Sequence, residues 1–289
     1  MVEYFWGIVH IEELCGRMIC TVPITKDTKL TERKVNRLCK NLNKKLYKFG
    51  IKNIVFSTYL IKVGLIKNRL ISTGIDVLNG RILFGYLVYD VICYIVSQGE
   101  RNIADLEISI LANSNTSVAT ENIKMISTEV KRINILTDNI SQFQRLQDYL
   151  YEESGIMIKI SNNKRKGLSK TNIIINVDFP NELINKYRIS DDCVIVNLNE
   201  NITIDAKRFN GICANGYKIL IPEKYKIFGF DDEIIYESLI YDYSIDYGKA
   251  REKIKKDSIE IDGLIGNNGE ISKEEYKILK NLDKMRIVE

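Results

Sequence analysis

The sequence contains one histidine, His10, and three prolines in 289 residues, and its six cysteines form no close Cys-x-x-Cys pair. A single histidine excludes a zinc site built from several histidines and argues against a Ser-His-Asp triad. We therefore expect no bound metal. We also expect most of the cysteines to lie in helices or strands as small buried residues, as in a protein of the reducing cytoplasm.

Long apolar runs are also missing. The longest, residues 82–96, contains Asp90 and is shorter than the roughly 20 residues that cross a bilayer, so it predicts a buried helix and no membrane span. Residues 1–6 show no basic segment followed by an apolar run, which predicts a cytoplasmic protein without a secretion signal. The bias toward Ile, Lys, Asn and Tyr suggests an AT-rich bacterial genome.

The strongest positive signal is an alternation of strands and helices in the second half of the chain. Apolar runs at residues 107–111, 133–137, 156–160, 173–177 and 193–198 predict strands, and amphipathic segments lie between most of them. This pattern is typical of an α/β fold with a doubly wound, mostly parallel, Rossmann-like sheet. Asn-Gly pairs after residue 198 predict turns of an antiparallel extension.

The first part of the chain predicts a smaller α/β domain. A strand at residues 18–24 precedes a helix that Thr31 caps, and Gly50 ends this helix before a strand at residues 51–57. The predicted domains are residues 1–103, an N-terminal α/β domain, residues 104–230, a Rossmann-like domain, and residues 231–289, a helical segment that packs back on the first domain.

The turn after the first Rossmann strand lacks the glycines that let a backbone close around a pyrophosphate. Its residues are polar and precede a helix, so their N–H groups and the positive end of the helix dipole could still bind an anion. Capping of the helix is the alternative interpretation. The predicted phosphate-binding residues are Asn113, Ser114, Asn115, Thr116 and Ser117.

Asp138 directly follows the second predicted strand and lies 25 residues after Asn113. An acid at this position, roughly 20 residues after the phosphate turn, accepts hydrogen bonds from the adenosine ribose in dinucleotide-binding units. We therefore predict Asp138 as a ribose ligand of NAD, because its charge would repel the 2′-phosphate of NADP. The alternative is a simple turn residue before a helix.

The element order from residue 107 to residue 198, behind an α/β domain, resembles the cofactor domains of shikimate dehydrogenase and methylenetetrahydrofolate dehydrogenase. Ala112-Asn113-Ser114 stands where the latter family has a Gly-Arg-Ser core. The segment from Ile174 to Asp178 is similar to the Asn-Ala-Thr segment that ends the fourth strand in shikimate dehydrogenase. The resemblance implies that Asn176 faces the nicotinamide end of the crevice, and Asp178 is included among the predicted cofactor-binding residues.

Candidates for catalysis are few. Lys62, which follows a predicted strand of the first domain together with Tyr59, is the one general acid or base that we name. The chain shows no convincing catalytic Lys/Asp pair of the kind that the resemblance implies.

Two further features have ordinary explanations. Basic residues at helical spacing, Arg33, Arg37, Lys40, Lys44 and Lys48, could meet nucleic acid, lipid or an acidic partner. No aromatic residues interleave with them to stack bases, so we interpret the stripe as a solvated helix face. Residues 267–275 resemble half of an EF-hand loop but lack its first ligands, and Ser272 with Glu275 predicts a capped turn instead.

Two functions therefore remain open. The first is an NAD-dependent oxidoreductase that binds a small metabolite in the cleft between the domains. The second is a binding or assembly module that keeps the fold without the cofactor site, so that NAD and no cofactor are equal alternatives. The sequence is compatible with a homo-oligomer. Contact with nucleic acid through the stripe from Arg33 to Lys48 is the weakest of the functional alternatives.

Overall fold

The computed structural model describes residues 10–14, 17–22, 24, 29–61, 64–99, 102–130, 132–190, 193–204, 209–241 and 246–276. These residues fall into two compact units. Unit 1 contains residues 1–79 and 227–238, and unit 2 contains residues 80–226 and 239–289. Compactness alone does not test independent folding, so the predicted domain division at residues 103/104 and 230/231 stays a prediction.

Unit 1 is built from short strands and three helices that precede residue 80. The strands are β1 (His10–Leu14), β2 (Arg17–Thr21), β3 (Asn53–Ile54) and β4 (Asp76–Val77), and the helices are α1 (Glu32–Lys48), α2 (Thr58–Ile61) and α3 (Gly64–Ile71). β1 and β2 form an antiparallel hairpin, and β3 pairs in parallel with β4. The strand predicted at residues 51–57 is thus shorter than expected.

Helix α1 follows the sequence prediction closely. Its N-cap is Thr31, whose hydroxyl accepts a hydrogen bond from the Lys34 N–H, and Gly50 after its end has a φ of 69°. The apolar face of the helix is buried in the core of unit 1, whereas Phe49 is half exposed. The five basic residues of the predicted stripe are all exposed.

Unit 2 is built on a six-stranded sheet. Its strands are β5 (Glu107–Leu111), β6 (Arg132–Leu136), β7 (Lys159–Ser161), β8 (Ile173–Asn176), β9 (Val194–Asn197) and β10 (Ile212–Ala214). The spatial order is β7-β6-β5-β8-β9-β10, and every adjacent pair is parallel. Numbered from β5, this is the 3-2-1-4-5-6 order of the Rossmann fold, which confirms the predicted fold class.

The other helices and strands of unit 2 precede, separate or follow these strands in the chain. They are α4 (Arg81–Tyr86), α5 (Val88–Gln98), α6 (Ser117–Ser127), α7 (Ile140–Ser154), α8 (Lys164–Leu168), α9 (Asn181–Ile184), β11 (Gly216–Leu220), α11 (Tyr247–Lys256), β12 (Glu260–Gly266) and β13 (Gly269–Glu270). Helix α10 (Asp232–Ile240) has its residues 232–238 in unit 1. The chain leaves β5 toward β6 and later returns to β8 on its other side, so the topology switches direction between β5 and β8.

Several local predictions need correction. Residues 164–171 are too short for a full crossover helix and predict a polar, basic loop, but the structure has α8 there. Asn163 caps it by accepting a hydrogen bond from the Lys166 N–H. Ser141 and Gln144 have the spacing of a capping box, which predicts a helix start at Ser141. Helix α7 instead begins at Ile140, with Asn139 at its N-cap. The predicted antiparallel extension is formed by β11, β12 and β13, whereas β10 continues the parallel sheet.

The predicted helix faces and the predicted capped turn at Ser272 are confirmed. The apolar residues expected on one face of α6 and α7, among them Ile123 and Phe143, are fully buried, and Gly155 ends α7 with a φ of 66°. The N–H of Ser272 donates to the Glu275 carboxylate at 2.7 Å, and the Glu275 N–H donates back to the Ser272 hydroxyl at 3.4 Å. In the part of the chain that the structure describes, no helix is long and apolar enough to span a bilayer.

Candidate functional site

The candidate site lies at the carboxyl ends of β5, β6 and β8, on the edge of the sheet next to its switch point. Ligands of open α/β sheets bind at this edge because loops from adjacent strands diverge there. The chain places the predicted turn of residues 112–117 after β5, Asp138 after β6, and Asp178 after β8. The parallel pairing of β5 with both neighbours brings these three segments together.

The carboxylate of Asp178 is bound to the backbone of the turn. The N–H of Asn113 donates to its two oxygens at 2.8 and 3.0 Å, and the N–H of Ser114 donates to Oδ2 at 2.8 Å. Adjacent N–H groups that point at one anion form the same arrangement that binds phosphate in other proteins. Here the anion belongs to the chain itself.

The next donors of the turn are satisfied in the same way. The N–H of Asn115 donates to Gln142 Oε1 of α7 at 3.3 Å, and the Asn115 side-chain amide donates to the Gln142 carbonyl at 3.1 Å. The hydroxyl of Thr116 accepts from the Ala119 N–H at 3.2 Å and caps α6, whose first residue is Ser117. The observed contact of Thr116 is therefore that of a helix cap.

Asn113 also ties the turn to the end of β6. Its Oδ1 accepts the Asp138 N–H at 2.8 Å, and its carbonyl accepts the Asn139 side-chain amide at 3.0 Å. The amide of Asn139 is therefore used across the site rather than to cap α7. The side chains of this turn therefore cross-link the loops after β5 and β6. In a turn made of glycines, which have no side chains, a bound ligand would have to hold these loops together.

Asp138, the predicted ribose ligand, forms an ion pair with Lys164 at the start of α8. The lysine side chain is only 4% exposed, whereas that of Asp138 is 58% exposed. The ammonium group also lies 5.5 Å from the centre of the Phe179 ring, a cation–π distance. A buried ammonium needs an anionic partner, and Asp138 provides one here.

Asn176 is the first member of a buried row of asparagines at the carboxyl ends of β8, β9 and β10. Its amide donates to Asn197 Oδ1 at 2.8 Å, and the Asn197 amide donates to Asn215 Oδ1 at 2.7 Å. Asn176 also exchanges hydrogen bonds with the N–H and carbonyl of Phe179. All three side chains are buried, so the amide predicted to face a nicotinamide already has internal partners.

The sequence pattern predicts Asn113, Asp138, Asn176 and Asp178 at the carboxyl ends of their strands, where the structure has them, but it does not predict the groups that bind them. Gln142, Lys164, Asn197 and Asn215 complete the network. One signal was present in the sequence: the apolar runs of β8, β9 and β10 all end in asparagine or are followed directly by it. The partners Gln142 and Lys164 had no such signal.

Lys62 lies outside the described residues, so its predicted role as acid or base stays a prediction. Among the residues that the structure describes, no three His, Cys, Asp or Glu side chains are grouped so that they could hold a metal ion.

No protein-family model matches the chain, and no curated protein matches it. Solved structures with a similar arrangement include the A chain of dipicolinate synthase from Bacillus subtilis, with 11% identity and a TM-score of 0.41 over 81% of this chain and 74% of that one. The Δ1-pyrroline-2-carboxylate reductase of Thermococcus litoralis, solved with NADH and L-proline, has 14% identity and a TM-score of 0.30 over 68% and 62%.

A third structure, L-tryptophan dehydrogenase from Nostoc punctiforme, has 12% identity and a TM-score of 0.32 over 64% of this chain and 52% of that one. TM-scores below 0.5 at such identities carry no argument about activity or ligands. The fold assignment of unit 2 rests on the order and direction of its six strands.

Proposed function

We propose that unit 2 is a Rossmann-like binding or assembly module in which Asp178 takes the place of a cofactor's pyrophosphate. The observation that carries this proposal is the set of three hydrogen bonds from the Asn113 and Ser114 N–H groups to the Asp178 carboxylate. A pyrophosphate that approached these donors would meet a negative charge at hydrogen-bond distance. It would also have to displace all three bonds, so both effects oppose binding.

The remaining contacts of this edge support the same proposal. Asn115, Asp138 and Asn176 each have internal partners that a dinucleotide would have to replace. Internal partners of this kind fix the loops without any ligand. The module would then serve as a rigid α/β body that contacts a partner elsewhere on its surface, with no hydride chemistry at this edge.

Calorimetric titration of the full chain with NAD and NADP tests the proposal. We expect no saturable binding by unit 2 at a concentration of about 1 mM, which is the weak end of measurable affinity. Saturable binding of either dinucleotide with a Kd below about 1 mM, through unit 2, would overturn the proposal.

A variant pair gives an independent test at the turn. Asp178→Ala leaves the Asn113 and Ser114 N–H groups without their acceptor and should lower the free energy of unfolding by about 1–3 kcal/mol. Sulfate should restore part of this loss in Asp178→Ala but not stabilise the parent chain to the same extent, because the freed donors lie just before α6. Asp178→Asn, which keeps an acceptor oxygen, is the matched control and should lose less. Equal sulfate responses in all three proteins would contradict the role of Asp178.

A second candidate is an NAD-dependent oxidoreductase that acts on a small metabolite. The 3-2-1-4-5-6 strand order and the position of Asp138, two residues after the end of β6, favour it. It requires Asp178 to leave the turn when the cofactor binds. Turnover of hydroxy or imino acids with NAD, lost in Lys62→Ala, would support it. Cofactor oxidation or reduction indistinguishable from a protein-free blank would remove it.

A further inference from the structure

A second polar site lies in unit 1. The polar groups at the carboxyl edge of the unit 2 sheet bind one another, whereas the cations of this second site form no ion pair with a described residue. A cavity of about 730 Å³ opens beside α1, between the turn of residues 50–52 and the segment from Arg69 to Ile75. Its volume falls within the range of about 300–1,000 Å³ that is typical of small-molecule sites. Every residue that lines it belongs to unit 1.

The charges of this cavity have one sign. Lys40 and Lys44 of α1, Lys52, and Arg69 of α3 line it, and none of its described lining residues is acidic. All four side chains are exposed, and no ion pair joins any of them to another described residue. Four cations around one cavity repel each other, and an anion that enters it is attracted by all of them.

The cavity also provides neutral and apolar contacts. Asn36 and Asn43 lie on the same face of α1 as the lysines and can donate to or accept from a ligand. The ring of Tyr47, 87% exposed, stands at the same cavity together with Ile51. An organic body could therefore contact Tyr47 and Ile51 while its anionic groups meet the lysines and Arg69.

We infer that this cavity binds a small organic anion that carries two or more phosphate or carboxylate groups. The cations converge from three segments of the chain rather than along one helix, which favours a compact ligand over an extended nucleic-acid strand. A single aromatic side chain at the cavity cannot provide the series of stacking platforms that single strands use. The cavity lies in unit 1, so the inference does not depend on the proposed function of unit 2.

The test is a calorimetric titration of the full chain with inorganic pyrophosphate and with citrate at low salt. These probes distinguish phosphate from carboxylate as the preferred group. We expect one site per chain with a Kd below about 1 mM for at least one probe. Absence of saturable binding of both probes would overturn the inference.

Two charge-matched variants locate the site. Lys44→Gln with Arg69→Gln removes two cations of the cavity and should weaken binding at least about tenfold. The control, Arg33→Gln with Lys48→Gln, removes two exposed cations of the same helix that do not line the cavity, and should change the Kd by less than about twofold. Equal losses in both variants, or tighter binding of a short single-stranded oligonucleotide than of either probe, would overturn the inference in favour of a nonspecific basic face.

The same variants show whether a bound anion occupies unit 1 or unit 2. Circular dichroism and the thermal midpoint of each variant show whether it is folded before its Kd is compared. NAD binding that persists in the Lys44→Gln, Arg69→Gln variant would count against the proposed function of unit 2 alone. NAD binding that this variant loses would instead assign the dinucleotide to the unit 1 cavity.

Discussion

The turn after β5 and the cavity of unit 1 are both polar, but only the charged groups near the turn have partners within the protein that the structure describes. At the turn, the Asn113 and Ser114 N–H groups hold the carboxylate of Asp178, and the Asp138 carboxylate holds Lys164. At the cavity, Lys44 and Arg69 have no ion-pair partner among the described residues. Groups that are satisfied internally stabilise the fold, whereas uncompensated charges favour a ligand from solution.

The comparison also shows why the position of a site in a fold does not decide its function. The carboxyl edge of unit 2 is where a ligand of this fold is expected, but its polar groups already bind one another. The cavity of unit 1 has no such expectation from topology. Its charge, rather than its place in the fold, makes it the stronger candidate for binding an anion.

The largest effect should come from breaking the buried asparagine row at its centre. Asn197→Ala removes the acceptor of the Asn176 amide and the donor to Asn215 and the Glu200 carbonyl. Because these groups are buried, we expect the free energy of unfolding to fall by about 2–4 kcal/mol in urea titration. Asn162→Ala, an exposed asparagine of unit 2, is the control and should change it by less than about 0.5 kcal/mol. A loss equal to that of the control would mean that the row does not hold the sheet edge.

A smaller effect should distinguish the two roles of Asp138. Asp138→Asn leaves the buried Lys164 ammonium without its anion and should lower the free energy of unfolding by about 1–2 kcal/mol, a value reduced for the solvent exposure of the carboxylate. Lys164→Met removes the buried charge itself and should cost less. Urea titration of both variants and of the double variant measures the coupling.

The opposite order of the two losses in unfolding free energy would give the lysine a different role. If Lys164→Met costs more than Asp138→Asn, then packing against Phe179 holds the lysine and the ion pair is incidental. If Asp138→Asn leaves stability unchanged and abolishes a measurable NAD affinity, Asp138 is a ribose ligand and the oxidoreductase candidate gains. Each result assigns the residue to one role.

The fold was predictable because its signals are local. Apolar runs such as β8 and amphipathic faces such as that of α6 repeat at the periods of strands and helices, and Gly155 marks a left-handed stop. The alternation of these elements then restricts the sheet to a doubly wound topology. Short elements such as α8 gave no periodic signal and were missed for that reason.

The candidate site was predictable only in its position. Strand ends told us that Asn113, Asp138 and Asp178 would lie near each other. Which of them faces a ligand and which faces its neighbour depends on contacts between residues 25 to 65 positions apart, such as Asp178 with Asn113. The spacing of residues along the chain does not predict such long-range contacts. The cavity of unit 1 was missed because its cations come from separate segments, and only two of them lie in the basic stripe of α1.

The smallest expected effect is a difference in alkylation rate between two thiols, one from each unit. Burial raises the pKa of Cys213 on β10 to about 12, and it raises that of Cys20 on β2 to about 11, where Lys45 partly opposes the shift. Because alkylation requires the thiolate, Cys20 should react about tenfold faster than Cys213 at equal access, and both rates should rise with pH through pH 8–10. Iodoacetamide labelling mapped by mass spectrometry measures the ratio, and Lys45→Gln should slow Cys20 alone. If this substitution changes neither rate, the Lys45 charge does not reach Cys20. If it slows both, the substitution acts beyond unit 1, and the Lys45 charge does not account for the difference between the two thiols.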